Sequence, residues 1–530
     1  MAESQVLGPP GCGKTTFLAS QVHRAADEYG SERVVVTSLT KTAAAEIAGR
    51  GLHIPQEHAG TLHSLAYRSL GAPTVAESIA ADFNADRPAY AITPKTRTPD
   101  HDTASGDAPT GELPGDKAMG EVSLLRARMV PMDLWPVQAR QWYSAWDTFK
   151  RDRGAIDFTD MIAMALDDIP TAPGEPDALF ADEVQDYSRL EMALLRKWGA
   201  SARALVLAGD ADQAIFQWRG ADPEVFLSHD VGPNRRILAQ SYRIPRAVHA
   251  QASRWIRRIG KRIDAEYNPR DADGAVHTDS ASRWKYPEPL LRQVERQIGA
   301  GGTVMMLATC DYMLAPLIAV LKREGIPFAN PWRRENGAWN PLGHGRRGVS
   351  TAQRLLAYLR PEIAGEWWAA DDLRRWTSIM RAEGILRHGA KGAIEHAGGD
   401  SSEAVGWEKL AEWFEPDALA CATDLDIGWW LEHLLVAKRR VAEYPVRVYR
   451  RRGAGALTEY PQLYVGTIHS FKGAEADHCY LFPDLSPAGY MEYASTGRDA
   501  VIRQFYVAMT RARESLTLCG PSSPYAVAWT

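Results

Sequence analysis

Cysteine is scarce in this chain of 530 residues. The five thiols, Cys12, Cys310, Cys421, Cys479 and Cys519, are scattered and form no CxxC pair. That spacing excludes a zinc ribbon, an iron–sulfur motif and a disulfide scaffold. An odd number of dispersed thiols suits a reducing compartment. There is no run of 18 apolar residues, so no membrane-spanning helix is expected. The opening MAESQVLGPPG lacks a basic flank followed by an apolar core, and does not read as a signal peptide. The expectation is a cytoplasmic protein with no membrane partner. Neither sign of charge dominates, since 61 Lys and Arg against 66 Asp and Glu leave −5. That total points to no particular partner; local runs matter more.

The remaining composition, 45% apolar and 24% charged, is that of a globular protein and excludes a collagen or a wholly disordered chain. At roughly 150 residues per domain the length predicts about three to four domains. Tryptophan is abundant, with 17 residues.

The segment GPPGCGKT at 8–15 matches GxxxxGK[ST] in full, with a short strand at 4–7 before it and a helical stretch at 16–26 after it. Gly11 and Gly13 let the backbone turn tightly and aim N–H groups at phosphate oxygens. The helix N-terminus adds free donors and a favourable dipole. Lys14 can reach the β- and γ-phosphates, and the Thr15 hydroxyl can ligate Mg²⁺.

The segment LFADEVQD at 179–186 is a short apolar run ending in two adjacent carboxylates. Adjacent carboxylates are usually solvated surface charges. At the C-terminal end of a buried parallel strand they face a ligand crevice instead. Asp182 then suits Mg²⁺, and Glu183 suits the orientation and deprotonation of an attacking water. A second strand at 204–208 ends in GDADQ, where the Gln213 amide can donate and accept at a water or γ-phosphate.

Beyond these lie TSLTKTAAAE from residue 37, GTLHS from 60, IDFTDM from 156, GDADQAIFQWRGA from 209, QSYR from 240, GTIHSFKGAEAD from 466 and YVAMTRAR from 506. In this order they resemble the motif series of the UvrD/Rep/PcrA-like superfamily 1 DNA helicases. The resemblance reaches both ends of the chain and implies an α/β fold with two RecA-like P-loop motor domains. Each would carry an inserted, mainly helical subdomain, with ATP and Mg²⁺ bound between the motors. It implies that Arg243 and Arg511 act as arginine fingers and that Glu475 contacts the nucleotide sugar. Thr16 falls in the nucleotide-binding set, Tyr242 is the aromatic available to stack on the base, and Lys41 and Arg219 look like supporting residues. The family's upstream glutamine segment has no counterpart before Gly8, which leaves selectivity for ATP open.

For single-stranded DNA the resemblance implies contacts from Thr61, His63, Thr467 and His469. Phe216 and Trp218 are two apart, and on an extended segment such residues share a face. They are expected as an exposed stacking platform beside Gln213. Residues 235–262 hold nine Arg or Lys and no acid, and 438–452 hold seven against Glu443 alone. Either run suits phosphates or a plain solvated face.

The apolar spacing divides the chain as follows. The first motor takes 1–70 and 151–234, with a helix at 41–50. An insertion takes 71–150, with a Pro-, Asp- and Gly-rich flexible loop at 93–120 and a helix at 134–150. The second motor takes 235–329 and 446–530, with strands at 236–239, 303–308, 465–468, 479–482 and 515–519. A helical insertion takes 330–445. Most tryptophans fall in or beside the insertions, where small separate cores are expected.

The function this implies is an ATP-dependent helicase and translocase on single-stranded DNA and single/double-strand junctions, 3′-to-5′ by family analogy. One alternative is a DNA-stimulated motor subunit working with repair or replication proteins. The other is an ATPase that remodels nucleoprotein without unwinding.

Overall fold

The computed structural model describes residues 2–39, 44, 47, 54–94, 113–228, 231–260, 262–263, 265–344, 348–397 and 404–529. The chain divides into two compact units, Met1–Val276 with Pro487–Glu514 and His277–Ser486 with Ser515–Thr530. The first unit therefore continues past residue 234, where the first motor was expected to end, and includes the C-terminal helices Pro487–Tyr493 and Arg498–Met509.

The strands of the first unit are β1 (Ala2–Leu7), β2 (Val34–Thr37), β3 (Ala59–Gly60), β4 (Thr74–Val75), β5 (Ala155–Ile156), β6 (Ala178–Ala181), β7 (Ala204–Gly209), β8 (Arg235–Ile237), β9 (Gln240–Pro245) and β10 (Asn268–Arg270). Six form one parallel sheet in the order β3-β2-β6-β7-β1-β8. All four residues of β2 and of β6 are buried, as expected of inner strands covered on both faces. Alternation sorts their side chains. Val34, Val36 and Phe180 join Leu18 and Val22 of the Lys14–Tyr29 helix on one face. Val35, Leu179 and Ala181 join Leu195 and Trp198 of the Arg189–Ala200 helix on the other.

The expected strand at 236–239 does not open a second sheet. As β8 it extends the first, pairing Gln5 with Arg235 beside β1. The Arg235 guanidinium also donates to Gln5 Oε1 at 3.0 and 3.1 Å, an anchor suited to a polar edge strand. Of the helix expected at 41–50, Ala44 and Ile47 are described, helical and buried, and Lys41 and the rest lie outside the described residues.

The insertion has its own core, built on Phe83, Trp135, Trp142, Trp146 and Phe149, as expected of its tryptophans. Its long helix runs Val137–Arg153. The loop expected over 93–120 is shorter than that. The helix Asp116–Ala127 starts inside it, while 95–112 lie outside the described residues. Asp116 is buried because its carboxylate accepts from the Thr93 N–H and hydroxyl, both at 2.7 Å. β4 and β5 pair in parallel where the insertion leaves and returns.

The second unit is built on a five-stranded sheet in the order β11 (Ala275–Asp279), β15 (Ala512–Cys519), β14 (Ala476–Leu481), β12 (Val304–Ala308), β13 (Leu463–Thr467). The inner strand β12 is parallel to both neighbours. The helices Thr351–Tyr358, Ala370–Thr377, Trp407–Trp413 and Ile427–Glu432 match the helical spacing of 330–445. They do not form a small core of their own. One continuous core joins Val304, Met306 and Val465 of the sheet to Trp339, Trp368, Trp376 and Trp430. Within the insertion, Tyr358 stacks on both Trp368 and Trp430. Trp367 and Trp407 remain exposed. Among the described residues no helix is long and apolar enough to cross a membrane.

Candidate nucleotide site and nucleic-acid interface

β1 runs into the glycine-rich turn, and Gly13, left-handed at φ 73°, caps the Lys14–Tyr29 helix. Gly11 is also left-handed at φ 75°, and a Cβ there would meet the Arg243 Cβ at 2.5 Å. Only glycine lets the loop lie this close to β9. The Lys14 ammonium folds back onto its own loop, donating to the Gly8 carbonyl at 2.6 Å. Thr15 Oγ1 donates to Asp182 Oδ2 at 3.2 Å, which joins the helix start to the tip of β6. Thr16 is exposed one residue further on.

Asp182 is buried, and burial pushes its carboxyl up to about 7, with the neighbouring Glu183 adding to the rise and Lys14 opposing it. Hard oxygen donors from Thr15 and Asp182 suit Mg²⁺. Glu183 takes the left-handed conformation at φ 56°, which turns the chain sharply off the strand. Its carboxylate accepts from the Gln185 amide, while Gln185 Oε1 accepts from the Asp210 N–H at 2.9 Å. Gln185 is fully buried and so ties the tips of β6 and β7 together. Gly209 leaves room for it, since a Cβ there would meet Gln185 Oε1 at 2.6 Å.

At the tip of β7 the Gln213 amide donates to Asp210 Oδ2 at 2.7 Å, and its oxygen accepts from Arg511 Nη2 at 3.2 Å. Arg511 is almost completely buried, and its Nε donates to the Val507 carbonyl. Burial pushes the Asp210 carboxyl up to about 6, with Asp212 adding to the rise. Asp212 pairs with Arg262 at 2.8 Å. Tyr242 is 72% exposed, lies near Gly13, and donates its N–H to the Gly11 carbonyl at 2.9 Å. A cavity of about 110 Å³ beside Gly8, Pro9, Asp210, Asp212 and Tyr267 includes none of Thr15, Asp182 or Glu183.

The first unit thus gathers Gly11, Gly13, Lys14, Thr15, Asp182, Glu183, Gln213, Tyr242, Arg243 and Arg511. Arg243 and Arg511 were expected on a second motor, yet both belong to this compact unit. Glu475, Thr467 and His469 belong to the second unit. There Thr467 ends β13 and its hydroxyl accepts from the Ser470 N–H, His469 opens the following turn, and Glu475 immediately precedes β14.

Phe216 does not form an exposed platform. It is buried, with only 2% of its surface accessible, whereas Trp218 is 37% exposed. Residues 217–219 form a 3-10 turn rather than an extended strand, so side chains two apart do not share a face. The rings meet edge to face at 6.4 Å, and the Arg219 guanidinium lies over Phe216. The Thr61 hydroxyl caps the Leu62–Ser69 helix by accepting from the Ser64 N–H. His63 packs beside Phe158 with its ring 3.6 Å from Glu191, and burial lowers its pKa. In the basic run, Arg246 pairs with Asp271 and Asp273 and Arg262 with Asp212, so part of that charge is neutralised locally. In the second run Arg451 pairs with Glu324 and Arg452 with Glu295.

Gln185, Ser241 and Tyr267 touch the site without a role expected from the sequence. Gln185 stood inside a motif already read for its acids, and its amide after a strand tip was the available signal. Tyr267 carried none.

A parallel sheet with a phosphate loop after one strand and carboxylates at the tips of its neighbours defines a P-loop nucleotide-binding domain of RecA-like design. Residues 2–219 match the family model described as an AAA domain. The chain is similar to the ATP-dependent DNA helicase PcrA of Leuconostoc citreum, 22% identical over 280 residues covering 49% of this chain and 37% of that protein. It is similar to YjcD of Bacillus subtilis, 22% identical over 273 residues, with 47% and 35% covered. PcrA of Staphylococcus aureus is 26% identical over 130 residues, with 23% and 18% covered. The chain spans little more than a third of the length of the first two relatives. With the ordered motif series, these matches make the chain similar to the UvrD/PcrA-like helicases of superfamily 1.

Proposed function

We propose that this chain hydrolyses ATP and uses the energy to move along single-stranded DNA and unwind duplex, in the 3′-to-5′ direction. The observation that carries the hydrolysis is the contact between Thr15 and Asp182 at 3.2 Å, one residue from Glu183 and on the same sheet tip as the Gln213–Arg511 pair, while the movement and its direction rest on the motif resemblance. A phosphate cradle, a pair of oxygen donors for a cation, a base for water and a buried guanidinium are the parts phosphoryl transfer requires.

In this mechanism Lys14 exchanges its bond to the Gly8 carbonyl for one to the β- and γ-phosphates. Thr15 and Asp182 would hold Mg²⁺, which would supply charge neutralisation to the phosphates. Glu183 orients the attacking water and accepts its proton. Arg511, reaching Gln213, and Arg243, on the strand against Gly11, stabilise the negative charge that builds on the transferred phosphoryl group. Tyr242 offers an exposed ring to the base, and Glu475 would meet the sugar. Trp218 stacks a DNA base, and Thr61, His63, Thr467 and His469 complete the strand contacts.

The test is unwinding of duplexes carrying a 3′ or a 5′ single-stranded tail, with ATP turnover followed in parallel. Unwinding from the 3′ tail alone is expected. Unwinding from the 5′ tail alone would reverse the direction. DNA-stimulated turnover without unwinding would move the chain to a partner-dependent motor or a nucleoprotein-remodelling ATPase.

A further inference from the structure

Two hydroxyl groups far apart in the sequence converge on one carbonyl of the phosphate loop. Ser241 Oγ donates to the Pro10 carbonyl at 3.0 Å, and Tyr267 OH donates to the same oxygen at 3.1 Å. Ser241 is buried at the start of β9, and its oxygen also accepts the N–H groups of Arg243 at 3.3 Å and Ile244 at 3.1 Å. The Tyr267 ring is held edge-on against His249, with centroids 4.5 Å apart. Gly11 lies flush on this arrangement, since a Cβ there would stand 2.8 Å from Ser241 Oγ.

The orientation of one peptide follows. In a trans peptide the C=O and the next N–H point to opposite sides. Drawing the Pro10 carbonyl toward the two hydroxyls therefore turns the Gly11 N–H the other way. A loop that binds phosphate through its N–H groups needs its carbonyls held out of the concave side. A glycine at position 11 makes the Pro10–Gly11 peptide easy to flip, and a flip would present an oxygen where an anion must sit.

We propose that Tyr267 and Ser241 are positioning residues for the phosphate loop, locking the Pro10–Gly11 peptide so that the Gly11 N–H faces the nucleotide phosphates. Through its second role as acceptor, Ser241 sets the start of the strand that carries Arg243 by the same hydroxyl. Tyr267 lies outside every motif that carries the phosphate-binding reading, on which this inference rests. Burial holds its phenol well above the usual tyrosine range, so it stays a donor across the working pH range.

The test compares the wild type, Tyr267→Phe, Ser241→Ala and Lys14→Ala by equilibrium binding of ATP and of inorganic pyrophosphate. Phenylalanine keeps the ring against His249 and removes only the hydroxyl. Loss of one hydrogen bond that orients a phosphate donor should weaken both ligands about three- to tenfold in Tyr267→Phe. Ser241→Ala should act in the same direction with some loss of stability, since it also removes the acceptor of the Arg243 and Ile244 N–H groups, while Tyr267→Phe should leave the melting temperature unchanged. Unaltered affinities in both variants, with binding lost in Lys14→Ala, would overturn the inference and leave the phosphate loop standing. Weakened binding in Tyr267→Phe that tracks a fall in its melting temperature would assign the hydroxyl to stability and also overturn it. A wild type that binds neither ligand would overturn the inference and the phosphate-loop reading together.

Discussion

Arg511 Nη2 donates to Gln213 Oε1 at 3.2 Å, although 298 residues separate them in the chain. The same glutamine donates to Asp210, so one amide bridges a buried guanidinium and a buried carboxylate. A group placed this way can register a change on either side.

Removing the guanidinium tests that bridge. Arg511→Ala is expected to lower kcat for ATP by at least about a thousandfold, the lower end of what an arginine finger contributes. Gln213→Ala should cost less, about ten- to a hundredfold. Because the two side chains touch, the double variant should be little worse than Arg511→Ala alone. Steady-state turnover of the four proteins checks this, and strict additivity would separate the two roles.

Lys14 and Glu183 should fail differently. Lys14→Ala loses ATP binding because the loop loses its cation. Glu183→Gln is expected to keep binding and lose turnover by about a thousandfold, since the role proposed for its carboxylate is on the water rather than on the nucleotide. Equilibrium binding beside single-turnover hydrolysis separates the two. Rapid turnover in Glu183→Gln would remove that residue from the chemistry.

These groups were legible in the sequence because phosphate chemistry demands particular residues at fixed spacing after a strand. What the sequence left obscure depends on contacts over long distances. Phe216 and Trp218 share a face only if their segment is extended, and a 3-10 turn takes Phe216 inside instead. Residues 235–237 read as a strand, but nothing local says that their partner is Gln5 of β1 rather than a new sheet. The helices of 330–445 were legible from their spacing, while their union with the sheet in one core depends on where Trp339, Trp368 and Trp430 pack.

The buried acid at Asp210 should leave a mark on stability. Its carboxyl is raised from 3.8 to about 6, burial being the first cause and Asp212 the second. Between those values the folded chain binds more protons than the unfolded one, so this group's contribution falls as pH rises. It is fully present below about pH 4 and lost as pH passes through about 6. In the nucleotide-free protein, Asp210→Asn should therefore remove part of the fall in melting temperature between pH 4.5 and pH 7. An unchanged slope would mean that Asp210 is solvated in solution.

Phe216 and Trp218 are neighbours with separate tasks. Trp218→Ala removes an exposed ring and should weaken single-stranded DNA binding by about 1–3 kcal/mol, with little change in melting temperature. Phe216→Ala empties a buried site and should cost about 3–5 kcal/mol of stability. Chemical denaturation and fluorescence anisotropy on the same two variants check the division. Equal loss of DNA affinity without destabilisation in Phe216→Ala would return that ring to the strand path.

The loop carrying Trp218 rests on the insertion. Gly220 is left-handed at φ 99°, and a Cβ there would meet Ala127 Cβ at 2.8 Å, so the loop lies flat on the Asp116–Ala127 helix. That helix is fixed one residue earlier. Arg126 donates to Asp157 at 3.0 Å and to Asp160 at 2.5 Å, while Lys150 donates to both carboxylates. Arg126 and Lys150 hold the Asp157 carboxyl well below the usual range. The four charges are mostly buried and balance as two cations against two anions. Arg126→Met breaks that balance and leaves an acid without its partner, a loss that typically costs about 3–5 kcal/mol. Gly220→Ala disturbs the same contact without touching a charge. Both should lower single-stranded DNA affinity through the tilt of Trp218, but Arg126→Met should lower stability by the larger amount, at pH values above the ordinary Asp range where the carboxylates are charged. Denaturation and DNA binding measured on both variants decide it. Undiminished DNA affinity in both would confine the ion network to holding the insertion together.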